Sequence, residues 1–167
     1  MPSDERRLTA AVSRDDILAS LRPLFLGSER GGPRRTLLIG LALGLFVLTF
    51  FGYELDVFYH SGGVVFIPFH AALVGVTAAF WTGYSRTGLL SGWVLTYCSF
   101  LGWRTEWATD ISSRPLVERI AYVLQPEGLV VLAIIGIGVM GIGVTAGALA
   151  RKAIDTLRAK TRTATNN

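Results

Sequence analysis

Cysteine is almost missing from this chain, with Cys98 the single one among 167 residues. One thiol excludes an intrachain disulfide, a CxxC redox pair and a zinc site built from cysteines. Lysine is nearly as rare, at Lys152 and Lys160 only. Charge as a whole is scarce: 17% of residues are charged, against about a quarter in an ordinary soluble domain. The deficit is local, since the stretches 36–53, 63–85, 87–103 and 128–150 hold no Asp, Glu, Lys or Arg at all. A bilayer imposes such clustering, because a Lys, Arg or Asp at the centre of a span costs about 2.5–3.5 kcal/mol on insertion. The motifs HExxH, GxSxG and the P-loop are also missing, so no hydrolytic or nucleotide chemistry is indicated.

What the chain has instead is apolar length. Hydrophobic residues make up 51% of it and the mean hydropathy is +0.47. A spanning helix needs about 20 apolar residues, and four stretches approach that length, at about 36–53, 64–82, 87–103 and 128–150. The third is the shortest and carries Ser91, Thr96, Tyr97 and Ser99. Charge decides whether it crosses. The N-terminal flank holds seven Arg, and the C-terminal flank holds Arg151, Lys152, Arg158, Lys160 and Arg162. Basic residues gather on the cytoplasmic side, so both flanks belong there and the number of crossings is even. The expected fold is therefore all-α: a polytopic membrane protein, a four-transmembrane-helix bundle with short surface helices, in the cell membrane with both termini cytoplasmic.

The first apolar run is longer than the roughly 7–15 residues of a removable signal peptide. Arg34-Arg35-Thr36-Leu37-Leu38 resembles a twin-arginine export signal, but two positive charges at the inner end of a first span account for it more simply. The net charge of +4 and pI near 9.6 come from residues beside apolar runs. They are read as orientation and lipid-headgroup signals rather than nucleic-acid contacts.

Outside the spans, residues 1–35 form a cytoplasmic segment in which Ser13 caps an amphipathic helix over 14–22, followed by a flexible linker at 27–33. Pro115 opens a short surface helix whose apolar side is Leu116, Val117, Ile120 and Leu124. Residues 151–167 form a cytoplasmic tail, disordered from about Thr161.

Helices in lipid associate through close packing, which small residues permit. Gly40 and Gly44 make such a pair in span one, Gly75 with Ala71 and Ala79 in span two, Gly88 and Gly92 in span three, and Gly143 and Gly147 in span four. These stripes predict a tight bundle, and they leave a seam with itself or with another membrane protein open.

His70 is the most informative residue, because ionisable groups within a membrane usually face protein or a cavity. Pro68 is expected to loosen its helix there, and Thr49, Thr96, Tyr97 and Ser99 fall at similar depth. The site has two readings: interhelical glue, with His70 bonded to Tyr97 or Thr96, and a proton or ligand site of a small transporter or channel subunit. A single histidine without a buried carboxylate favours the first. Haem is not expected, since His60 and His70 would lie about 15 Å apart along one helix and cannot clamp one iron. Glu54, Asp56 and His60 read as a solvated acidic loop rather than a metal site. Cys98 reads as a small buried hydrophobe. No cofactor, metal or enzyme activity is expected. The functional expectation is a non-enzymatic accessory or assembly subunit whose partners are the bilayer and other membrane proteins.

Overall fold

The computed structural model describes residue 25 and residues 32–59, 68–110 and 115–165. Among them the architecture is all-α: α1 (Gly32–Glu54), α2 (Phe69–Ser85), α3 (Leu89–Asp110), α4 (Leu116–Val123) and α5 (Pro126–Thr165), with no strand. The amphipathic helix expected over 14–22 lies outside the described residues.

Proline marks three of the helix starts. Pro68 and Pro115 stand in extended conformation immediately before α2 and α4, and Pro126 is the first residue of α5. Each position suits proline, since the first turn of a helix has no use for its missing N–H. Pro68 therefore begins the second helix instead of kinking it, and His70 sits in its first turn rather than part-way along the helix. Between α2 and α3 the chain reverses through Arg86, which is left-handed at φ 55, and Gly88 at φ 100. The Arg86 amide closes α2 by donating to the Thr82 carbonyl.

Four long helices alternate in direction. Contacts of 71 with 99, 75 with 96 and 82 with 92 set α3 antiparallel to α2. Contacts of 92 with 140, 93 with 133 and 104 with 128 set α5 antiparallel to α3. Helix α3 is the hub, packing against α1, α2, α4 and α5, whereas α1 joins the bundle chiefly through α3. One end of the bundle collects Tyr53, His70, Glu106 and Gly128; the other collects Arg35, Tyr84, Leu89 and Arg151.

Among the described residues two helices are long and apolar enough to cross a membrane, α1 over Arg35–Glu54 and α5 over Pro126–Thr161. Helix α2, at 17 residues, extends about 25 Å, short of the roughly 30 Å hydrocarbon core. Helix α3 is long enough but does not stop at Trp103 as expected. It continues through Arg104, Glu106 and Asp110, which dilutes its apolar character. Helix α5 likewise outruns the expected 128–150: it is continuous for 40 residues, about 60 Å, and is helical through Thr165 where disorder was expected.

The distribution of side chains is inverted relative to a water-soluble core. The buried residues are mostly small or polar, among them Ala71, Ala79, Thr49, Thr82, Thr96 and Ser99. The exposed residues include Leu37, Leu43, Phe51, Leu73, Trp81, Ile134, Ile142 and Leu149. Close approach explains the small interior. A Cβ on Gly143 would stand 2.6 Å from the Val76 carbonyl oxygen, and one on Gly147 would strike the carbonyl of Phe80, so α5 lies directly on the backbone of α2.

Candidate functional site

The polar end of the bundle is built on Tyr53, the last buried residue of α1 at 2% exposure. The first turn of a helix leaves amide groups without intrahelical partners, and α2 has no capping side chain at Pro68. Tyr53 supplies the missing acceptor: the Ala71 amide donates to its hydroxyl oxygen at 3.4 Å. The residues after α1 then fold back. Asp56 takes a left-handed φ of 54, and the Phe58 amide donates to the Gly52 carbonyl at 2.7 Å. This brings the Phe58 ring against Gly52, where a Cβ would collide with it.

His70 is enclosed by that turn. Its ring stacks on Phe58, with centroids 5.1 Å apart and planes 7° apart. Tyr59, Phe69 and Tyr53 meet it edge-on at 4.8, 5.5 and 6.3 Å. An imidazole with four aromatic neighbours is a packed group with specific geometry.

The hydroxyls expected to gather around His70 are directed elsewhere. Ser99 donates to the Ala71 carbonyl at 2.8 Å. Thr96 donates to the carbonyls of Gly75 and Gly92. Thr49 donates to the Leu45 carbonyl and lies buried beside Gly102. Tyr97 stacks on Trp93 at 5.3 Å, and Trp93 in turn donates to the Ala133 carbonyl of α5. Ser99 and Thr96 thus bind α3 to α2 backbone, while the partners expected for His70, Thr96 and Tyr97, make other contacts.

Arg104 and Glu106 follow the expected end of the third span at 103, where the sequence reads as an outer loop with Glu106 beside a solvated acidic cluster; in the structure both lie within α3. They are 8% and 1% exposed. The Arg104 guanidinium donates to the carbonyls of Tyr122 at 2.7 Å and Val123 at 3.2 Å, and it lies over the Tyr122 ring at 4.8 Å. A cation at the carbonyl end of a helix is favourably placed, so Arg104 fastens α4 to α3. Space for the guanidinium exists because residue 128 is glycine; a Cβ there would overlap it. Glu106 is buried close enough to Tyr53 for the two to interact electrostatically. Every buried side-chain nitrogen and oxygen among the described residues has a hydrogen-bond partner. Glu106, Tyr53 and His70, three ionisable side chains of different chemistry, share this end of the bundle.

Of the small residues read as helix contacts, Gly75, Gly92, Gly143 and Gly147 each lie against a neighbouring helix, Gly75 with the Thr96 methyl 2.9 Å from its would-be Cβ. Gly88 is in the turn before α3, not on a helix face. A Cβ on Gly40 or Gly44 would have nothing within 4 Å among the described residues. Gly83 and Gly102, which were not singled out, make close contacts with Val144 and Phe46. Cys98 lines a groove between α1 and α3, in which nearly all the neighbours are apolar. Glu54 and Asp56 are exposed, and His60 lies outside the described residues. Among the described residues no three His, Cys, Asp or Glu side chains are grouped to hold a metal ion. No protein family, curated protein or solved structure matches the chain.

Proposed function

We infer that the chain is a four-span integral membrane protein of the cell membrane, with both termini cytoplasmic. In this reading it serves as a non-enzymatic accessory or assembly subunit that packs against another membrane protein. The inverted side-chain distribution supports the membrane placement, since soluble monomers rarely expose large contiguous apolar surfaces. Outward-facing hydroxyls fit as well: Thr77 and Thr145 donate to the carbonyls of Leu73 and Gly141 in their own helices, the internal satisfaction that lipid demands.

The observation that carries the subunit role is the state of α1. Its Gly40–Gly44 pair, of the kind that admits a second helix closely, meets nothing among the described residues, while Gly75, Gly92, Gly143 and Gly147 are all covered. Along the same helix, a groove of about 700 Å³ between α1 and α3 is lined by residues such as Leu38, Phe46, Val94 and Leu101. The occupant it fits is a membrane-embedded helix of a partner protein. Purification in mild detergent followed by mass spectrometry tests this. A co-purifying membrane protein, lost on Gly40→Leu/Gly44→Leu, is the expected result; a lone monomer, or a partner indifferent to those changes, contradicts it.

The buried Glu106 favours a second reading, a small transporter or channel subunit working at the Tyr53 end. Ionisable groups enclosed at a bundle end often mark proton paths. Proton flux into liposomes that falls on Glu106→Gln and on His70→Ala supports this reading. Flux equal in native and variant protein, or none in either, removes it.

A further inference from the structure

We propose that the Arg86 end of the bundle holds an anionic phospholipid, with its phosphate among Arg86, Arg151 and Lys152 and an acyl chain along α3 and α5. The proposal rests on the membrane reading above, which puts this end at the cytoplasmic headgroup level. A cleft of about 870 Å³ opens there between the α2–α3 turn and α5. Its walls combine those three cations and the single carboxylate of Asp155 with apolar surface from Leu89 and Ala148.

The cations are brought together by the fold, since they are far apart in the chain. Arg151 donates to the Tyr84 carbonyl at 3.2 Å and lies 3.7 Å from Asp155, which fixes α5 beside the end of α2. Arg86, the left-handed turn residue, lines the same cleft, and Lys152 is exposed next to Arg151. Asp155 offsets one positive charge and leaves the cleft cationic. A cationic rim above an apolar wall complements an amphiphile with a negative head, as basic pockets between helices on the cytoplasmic side do. A free phosphate would use the rim alone.

The test uses the full chain, purified in mild detergent and incubated with equimolar phosphatidylglycerol and phosphatidylcholine in mixed micelles. Native mass spectrometry then reads which lipid is retained. Phosphatidylglycerol is expected to be preferred, and the preference to fall roughly fivefold for each cation removed. Lys152→Gln alone and Arg86→Gln/Lys152→Gln together provide the series, and both leave Arg151 on its carbonyl so that the helix junction persists. Inorganic phosphate at millimolar concentration is expected to leave lipid retention unchanged. Equal retention of the two lipids, an unaltered preference in the variants, or displacement by phosphate overturns the proposal. Carbonate washing of the source membranes separates the two failures. A chain released into the wash contradicts the membrane reading itself, whereas a retained chain lacking the preference contradicts the lipid site alone.

Discussion

The hydroxyl of Tyr53 at the end of α1 accepts the amide hydrogen of Ala71 in the first turn of α2, at 3.4 Å. This bond does the work of a helix cap from a residue eighteen positions away, and it joins two helices that otherwise touch little. Tyr53→Phe keeps the ring and removes the hydroxyl, and with it the acceptor for the Ala71 amide. A buried amide without its partner costs about 1–3 kcal/mol, so the variant should unfold at a lower temperature in detergent while keeping its helix content by circular dichroism. An unchanged midpoint would show that the bond carries no weight.

Arg104 makes a second long-range fastening. Arg104→Ala removes two charge-assisted bonds to the carbonyls of Tyr122 and Val123, each worth about 1.5–3 kcal/mol. Amide exchange across 116–123 should accelerate strongly while α2 and the middle of α5 stay protected. Arg104→Lys should recover only part of the protection, because an ammonium cannot reproduce the fork of a guanidinium.

The glycines divide into two groups with opposite expectations. Gly147→Leu drives a side chain into the backbone of Phe80 and Tyr84, which cannot rotate away. Overpacking of that kind costs about 3 kcal/mol or more. Gly40→Leu meets nothing among the described residues and should change the stability of the isolated chain by no more than about 0.5 kcal/mol. Thermal unfolding of both variants side by side checks the contrast.

Replacement of the buried Glu106 tests whether it serves the scaffold or partner binding. Glu106→Gln preserves shape and removes the ionisable group, so under the subunit reading it should alter stability and leave partner association intact. Co-purification yield, measured with thermal stability, checks this; a lost partner with an unaltered midpoint would move Glu106 from scaffold to function.

Much of the helical layout was legible because lipid-compatible runs and their flanking charges are local features. Pro115 and the spacing of Leu116, Val117 and Ile120 marked α4, and their exposure in the fold fits the surface position read for them. The failures share one physical cause. Arg104 and Glu106 looked like loop residues because a charge in an apolar run is costly. Their burial is compensated by groups distant in sequence, such as the Val123 carbonyl 19 positions on, which periodicity cannot reveal. Pro68 was ambiguous for the same reason, since kinking a helix and starting one differ only in what lies upstream. The polar site is least legible of all: the direction of the Thr96 and Ser99 hydroxyls depends on how closely Gly75 and Ala71 approach, which no spacing in the sequence encodes.

Helix number and direction across the bilayer are the central claim, and cysteine accessibility measures them directly. In a Cys98→Ser background, Asp56→Cys, Arg86→Cys, Asp110→Cys and Arg158→Cys are treated in intact cells with a membrane-impermeant maleimide. The account predicts labelling at 56 and 110 from outside, and at 86 and 158 only after permeabilisation. Labelling of 86 or 158 in intact cells, or protection of 56 and 110, would contradict it.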